Sequence, residues 1–159
     1  MKNLKKIIVA LIVLAALVTA LVITALASDG EAVSYTGTVA EANEMLAALE
    51  GVETDAEKST ELQSIWTYLA TVNPDSDGYE ELMNAYSDKT LAVGIALLEA
   101  TKEYKGEPID KAPSLRLVYL HITKAPLYEE HEEYEGKFAL LKANYSDEAL
   151  KVSVYCLDY

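Results

Sequence analysis

Apolar residues are distributed along this chain in two ways. From Ile7 to Ala27 they form one run of 21 residues, interrupted only by Thr19 and Thr24. Beyond it they recur three and four positions apart, between glycines, prolines and helix-capping residues. The first pattern follows Lys2, Lys5 and Lys6 and reads as a basic n-region with a hydrophobic h-region. Ala25 and Ala27 satisfy the small-x-small rule for cleavage before Ser28. The same run, at about 1.5 Å per residue, can also cross a hydrocarbon core of about 30 Å. Residues 1–27 are therefore expected to be a signal peptide or an N-terminal membrane anchor. With lysines only on the leading side, either reading sends the rest of the chain out of the cytoplasm.

The second pattern predicts helices. Residues 28–37 read as a polar linker and residues 38–159 as one all-α domain. Thr38 and Glu41 have capping-box spacing, and Val39, Ala42, Met45, Leu46 and Leu49 follow at helical intervals until Gly51. Thr54 and Glu57 repeat the box. The next helix carries Leu62, Ile65, Trp66, Leu69 and Val72 on one face and stops at Asn73-Pro74, because proline drives the preceding residue out of the α region. A short helix is expected over residues 78–86. A separate one, capped by Ser87 or Asp88, contains the nearly all-apolar Leu91–Leu98 stretch and belongs in the core. After a loop marked by Gly106, Pro108 and Pro113, Ser114 caps a helix that Pro126 closes. Tyr128, Tyr134, Phe138 and Leu141 then lie on a more amphipathic helix. Residues 146–159 alternate like a strand over Val152–Cys156.

An internal echo favours helix for that last segment. Residues 86–93 and 145–152 agree at five of eight positions. Leu62-x-x-Ile65 is echoed by Leu115-x-x-Val118, and a Tyr-Glu-Glu follows each, at Tyr79 and Tyr128. Three matches in one order predict two related units of about 55 residues, 55–106 and 112–159. The expected fold is a helical-hairpin repeat or small helical bundle after an N-terminal hydrophobic helix, with Leu91 and Leu150 buried at equivalent positions.

Charge narrows the partners. All 26 acidic residues lie beyond residue 27, against ten lysines and arginines there, a formal charge of −16 on the exported part. Such a surface repels nucleic-acid phosphates. Cys156 is the single cysteine, so no intrachain disulfide is available and the domain relies on its core.

Three features are candidates for chemistry. The loop from Asn73 sets oxygen donors at Asn73, Asp75 and Asp77, then Gly78, in EF-hand register, with Glu81 nearby. The bidentate glutamate expected at the twelfth position is Asn84. The loop is thus either a weak calcium site or a helix–helix turn built from ordinary turn residues. His131 and Glu135 lie at i, i+4 and could share a cation, or form part of a solvated acidic face. His121, in an apolar context, is expected to pack. Finally, 11 tyrosines stand against one phenylalanine. Tyr79, Tyr86, Tyr128 and Tyr145 occupy echoed positions, either as packing between helices or as ligand contacts.

No nucleophile motif, phosphate loop or zinc spacing is present. The sequence therefore points to an exported or membrane-anchored binding or scaffold domain without a cofactor. Its partner outside the cytoplasm would be a protein, peptide or glycan. The alternatives are an extracytoplasmic hydrolase using carboxylates and a purely structural or oligomerisation domain.

Overall fold

The computed structural model describes residues 34–124, 126–129 and 132–157. The signal or anchor segment lies outside them. The fold is all-α: α1 (Val39–Ala48), a 3-10 turn (Leu49–Gly51), α2 (Asp55–Leu69), α3 (Tyr79–Glu103), a second 3-10 turn (Pro108–Lys111), α4 (Ala112–Ile122), α5 (Pro126–Glu129) and α6 (Glu132–Leu157). Among the described residues there is no strand, and an isolated bridge pairs Gly37 with Val72.

At both expected capping boxes the threonine half forms, and the glutamate returns to the threonine hydroxyl. The Thr38 hydroxyl accepts from the Glu41 amide at 3.2 Å and donates to the Glu41 carboxylate at 3.0 Å. The Thr38 amide donates to the Tyr68 hydroxyl, whose own proton goes to Glu41. The Tyr68 hydroxyl, helped by Thr38, holds the Glu41 carboxyl below its ordinary range. Thr54 and Glu57 make the equivalent pair at the start of α2. These side chains satisfy amides that a helix N-terminus leaves open.

The chain divides into two compact units that share α2 and α3 by residue: residues 1–52 with 60–86, and residues 53–59 with 87–159. In the first, Ala42, Leu46, Leu49, Leu62, Ile65, Leu69, Val72 and Leu82 are buried. Gly78 turns the chain into α3 at φ 79°, a region that favours glycine. In the second unit, Leu91, Val93, Leu97, Leu98, Leu115, Val118, Phe138 and Leu141 are buried.

Several expectations are corrected. Residues 79–103 form one helix rather than two, because no proline or cap interrupts the buried stripe. Ser87 is itself buried at 3 % exposure and lies inside the helix rather than at its N-cap. Ser114 likewise sits inside α4, whose N-cap position is Lys111. Trp66 is 39 % exposed, its ring stacked on Tyr86 at 5.6 Å, while Ile65 points inward. The C-terminal segment is helical to Leu157, as the echo required. The echo nevertheless fails in packing: Leu91 is 3 % exposed and Leu150 63 %. Glu148 is the residue of α6 that turns inward, and two residues further on is about 200° around the helix. The division between compact units after Tyr86 falls within 55–106, while 112–157 lies in the second unit.

Chemical denaturation of single variants checks this division. Leu91→Ala should cost about 2–5 kcal/mol, as truncation of a buried leucine does. Leu150→Ala should stay within about 0.5 kcal/mol of the parent. Equal losses would contradict the burial pattern.

Candidate functional site

Of the four tyrosines singled out by the echo, two are closed to any ligand. Tyr86 and Tyr128 are each 0 % exposed. The Tyr86 hydroxyl donates to the Leu62 carbonyl at 3.1 Å. The Tyr128 ring packs on Phe138 at 4.7 Å and edge-on to Tyr134 at 6.0 Å. Their size and amphipathic edges serve the interior here. Tyr79 is half-buried, and burial, with Tyr35 beside it, raises its hydroxyl above the usual phenol range. Tyr145 is half-buried at the wall of a groove described below.

The loop in EF-hand register has the hydrogen bonds of a turn. Asn73 Oδ1 accepts from the Asp75 amide at 3.0 Å, and the Ser76 amide donates to the Asn73 carbonyl at 3.0 Å. Asp75, Asp77 and Glu81 are exposed and do not converge. Among the described residues no three carboxylate, histidine or cysteine side chains gather around a common point. His131 lies outside the described residues, and Glu135 is an exposed residue of α6.

The most unusual buried chemistry surrounds His121, in the second unit. Its Nε2 lies 2.9 Å from Ser59 Oγ on α2, and its Nδ1 lies 2.8 Å from Thr90 Oγ1 on α3. All three side chains are at most 3 % exposed. Either neutral tautomer is satisfied, with one hydroxyl donating to the bare nitrogen and the other accepting. Burial pushes the imidazole down to about 4, and the nearby Lys124 ammonium adds to the effect. Lys124 is itself lowered to about 8 by burial. The Tyr128 hydroxyl is buried with no partner in bonding geometry among the described residues.

Serine beside histidine invites comparison with nucleophilic catalysis, but Ser59 is 0 % exposed. A nucleophile must reach its substrate. This cluster is a neutral hydrogen-bonded bridge through the interior.

A shallow concavity lies between α4 and α6. Ala112, Leu115, Arg116 and Tyr119 form one wall at helical spacing, and Tyr145, Ala149, Val152 and Ser153 form the other. The groove is open to solvent and has a volume of about 360 Å³. Ala112 and Ala149 keep it shallow at one end. There Lys111 Nζ meets Glu148 Oε2 at 2.8 Å, and Lys151 Nζ meets Oε1 at 2.6 Å. These two lysines hold the buried Glu148 carboxyl below its ordinary range. Further along, the rings of Tyr119 and Tyr145 lie 5.9 Å apart at 34°. Tyr119 is 51 % exposed. Arg116, one helical turn before it, is the only arginine in the chain. The lining contains no carboxylate, histidine or cysteine. It is suited to stacking, apolar contact and guanidinium hydrogen bonding rather than to proton transfer.

Sequence reasoning reached Tyr145 but missed Tyr119 and Arg116. The uniqueness of Arg116, three residues before a tyrosine on one helical face, was the available signal. No family model, curated protein or solved structure matches the chain.

The His121 bridge predicts a pH dependence. The folded-state value lies near 4 against about 6.5 when unfolded, so the unfolded chain binds the extra proton between these values. Stability should be full above about pH 6.5 and fall as pH drops toward 4, by on the order of 3 kcal/mol. Glu41 and Glu148, whose values are depressed, lose their contribution only at lower pH, below the ordinary carboxylate range near 4.5. Urea unfolding at a series of pH values should therefore show a descending limb starting near pH 6.5, absent in His121→Leu. A flat profile from pH 7 to 5 would contradict the buried neutral imidazole.

Proposed function

We propose that this protein is an exported or membrane-anchored helical binding domain, which holds a protein or peptide partner in the groove between α4 and α6. The observation that carries the reading is the grouping of Arg116 with the paired rings of Tyr119 and Tyr145 on an otherwise small and apolar floor. Arginine and tyrosine dominate binding hot spots, since both offer large contact area with directional polar atoms. Charged side chains are otherwise excluded from the lining, as they are depleted from the core of an interface. Walls at helical spacing suit a helical segment laid along the groove. The guanidinium favours a carboxylate on that segment, and a bidentate pair would fix its register.

Export rests on the lysines at 2, 5 and 6 and the apolar run 7–27. Among the described residues no helix is long and apolar enough to cross a membrane.

A library of displayed helical peptides, panned on protein recovered from its native host, tests the reading. Selected peptides should carry an acidic residue flanked by apolar ones at i±3 or i±4. Arg116→Ala and Tyr119→Ala should each weaken their binding about tenfold or more, a loss of about 1.4 kcal/mol. The recovered protein should begin at Ser28 if cleaved, or at Met1 and partition with membranes if anchored. Selected peptides that bind the double variant equally well would remove the groove from the account. Intact, membrane-free protein beginning at Met1 would remove export.

A further inference from the structure

The outward side of α6 carries a second apolar feature, on a different face from the groove. Leu140, Ala143, Asp147, Leu150, Val154 and Leu157 succeed one another at intervals of three and four, and all are exposed. Leu140 and Leu150 are each 63 % exposed, Val154 48 % and Leu157 84 %. The core-facing side of the same helix is Tyr134, Phe138, Leu141 and Glu148. A helix that is apolar on its inner face normally presents polar residues outward. Here the outer face has the alternating spacing of a heptad seam, with a period of 3.5 residues over about 26 Å.

We propose that this face is a self-association seam, along which α6 of one copy packs antiparallel against α6 of a second copy. Two arguments choose the occupant. The first is charge. The chain as a whole carries −13 and repels itself, but residues 137–157 hold Lys137, Lys142 and Lys151 against Asp147 and Glu148, and Glu148 is already paired with Lys111 and Lys151. This stretch of α6, beyond the acidic first turn at Glu132, Glu133 and Glu135, is thus a surface where two acidic copies can meet without net repulsion. The second is register. A parallel pair would set Asp147 against its own copy in the middle of the seam, two like charges in an apolar setting. An antiparallel pair with its two-fold axis between residues 148 and 149 sets Leu140 against Leu157, Ala143 against Val154, and Asp147 against Leu150. Each Asp147 then lies beside the other copy's Lys151, whose side chain is 65 % exposed. The contact is isologous, as a two-fold dimer requires. It would bury on the order of 1,000 Å², the lower end for a specific interface.

Cys156, the single cysteine and exposed, provides the probe. The full chain in mild-detergent micelles is followed by sedimentation from about 1 to 100 µM, and by electron–electron distance measurement on nitroxide-labelled Cys156. The expected result is a monomer–dimer equilibrium with label separations of about 2 nm, since residue 156 faces residue 141 of the other copy, about 15 residues from that copy's label. Leu150→Glu should raise the dissociation constant at least tenfold with unchanged helical circular dichroism. Asp147→Leu should lower it several-fold. A chain that stays monomeric throughout would overturn the proposal. So would a Leu150→Glu variant that dimerises undiminished, which would assign association to residues 7–27 or another surface. Label separations near 1 nm would overturn the antiparallel register.

Discussion

The close approach of α3 and α4 at Gly94 fixes the second unit. A Cβ on Gly94 would stand 2.9 Å from His121 Cβ and 3.4 Å from Leu141 Cδ2, so only glycine admits the α4 backbone this near. At that distance the imidazole cannot turn away. Its two nitrogens meet Ser59 from the start of α2 and Thr90 from the middle of α3. One side chain thereby ties three helices, while Leu141 brings α6 against the same place. Each hydrogen bond adds only about 1 kcal/mol net, but a nitrogen left unpaired at this depth would cost about 1–3 kcal/mol. The bridge therefore works mainly by penalising every other arrangement.

A polar interior closed in this way leaves the chemistry of the protein to its surfaces. Ser59, His121, Tyr86 and Tyr128 are the side chains a catalytic account would want, and each is sealed from solvent. The carboxylates with clearly lowered values, Glu41 and Glu148, are both tied to neighbours in hydrogen bonds that stabilise the ionised form. What remains accessible is a groove of Tyr, Arg and Ala and an apolar seam on the far side of α6. Both are contact surfaces. The proposed binding role rests on these two surfaces.

Much of the local structure was legible because it depends on neighbours in sequence. Thr38 and Thr54 cap the helices they were expected to cap, and the turn at Asn73-Pro74 falls just beyond α2. Longer-range features were not legible. Ser59 and Thr90 lie 62 and 31 residues from His121, so its expected packing role could be read but not its partners. Tyrosine is equally at home in a core and at an edge, and spacing could not separate Tyr86 from Tyr145. The resemblance of residues 86–93 to 145–152 misled in packing, because similar apolar content was placed on opposite sides of its helix at Leu91 and Leu150. Serine at 87 read as a cap, since its burial in a continuous helix depends on contacts no local pattern records.

The most direct measurement is nitrogen-detected NMR of the histidine ring in the folded chain, titrated from pH 8 to 4, with His131→Gln to assign His121. The account predicts a ring that stays neutral through pH 5, with protonation setting in only near pH 4. A ring that titrates near pH 6.5, as a solvated imidazole does, would contradict it.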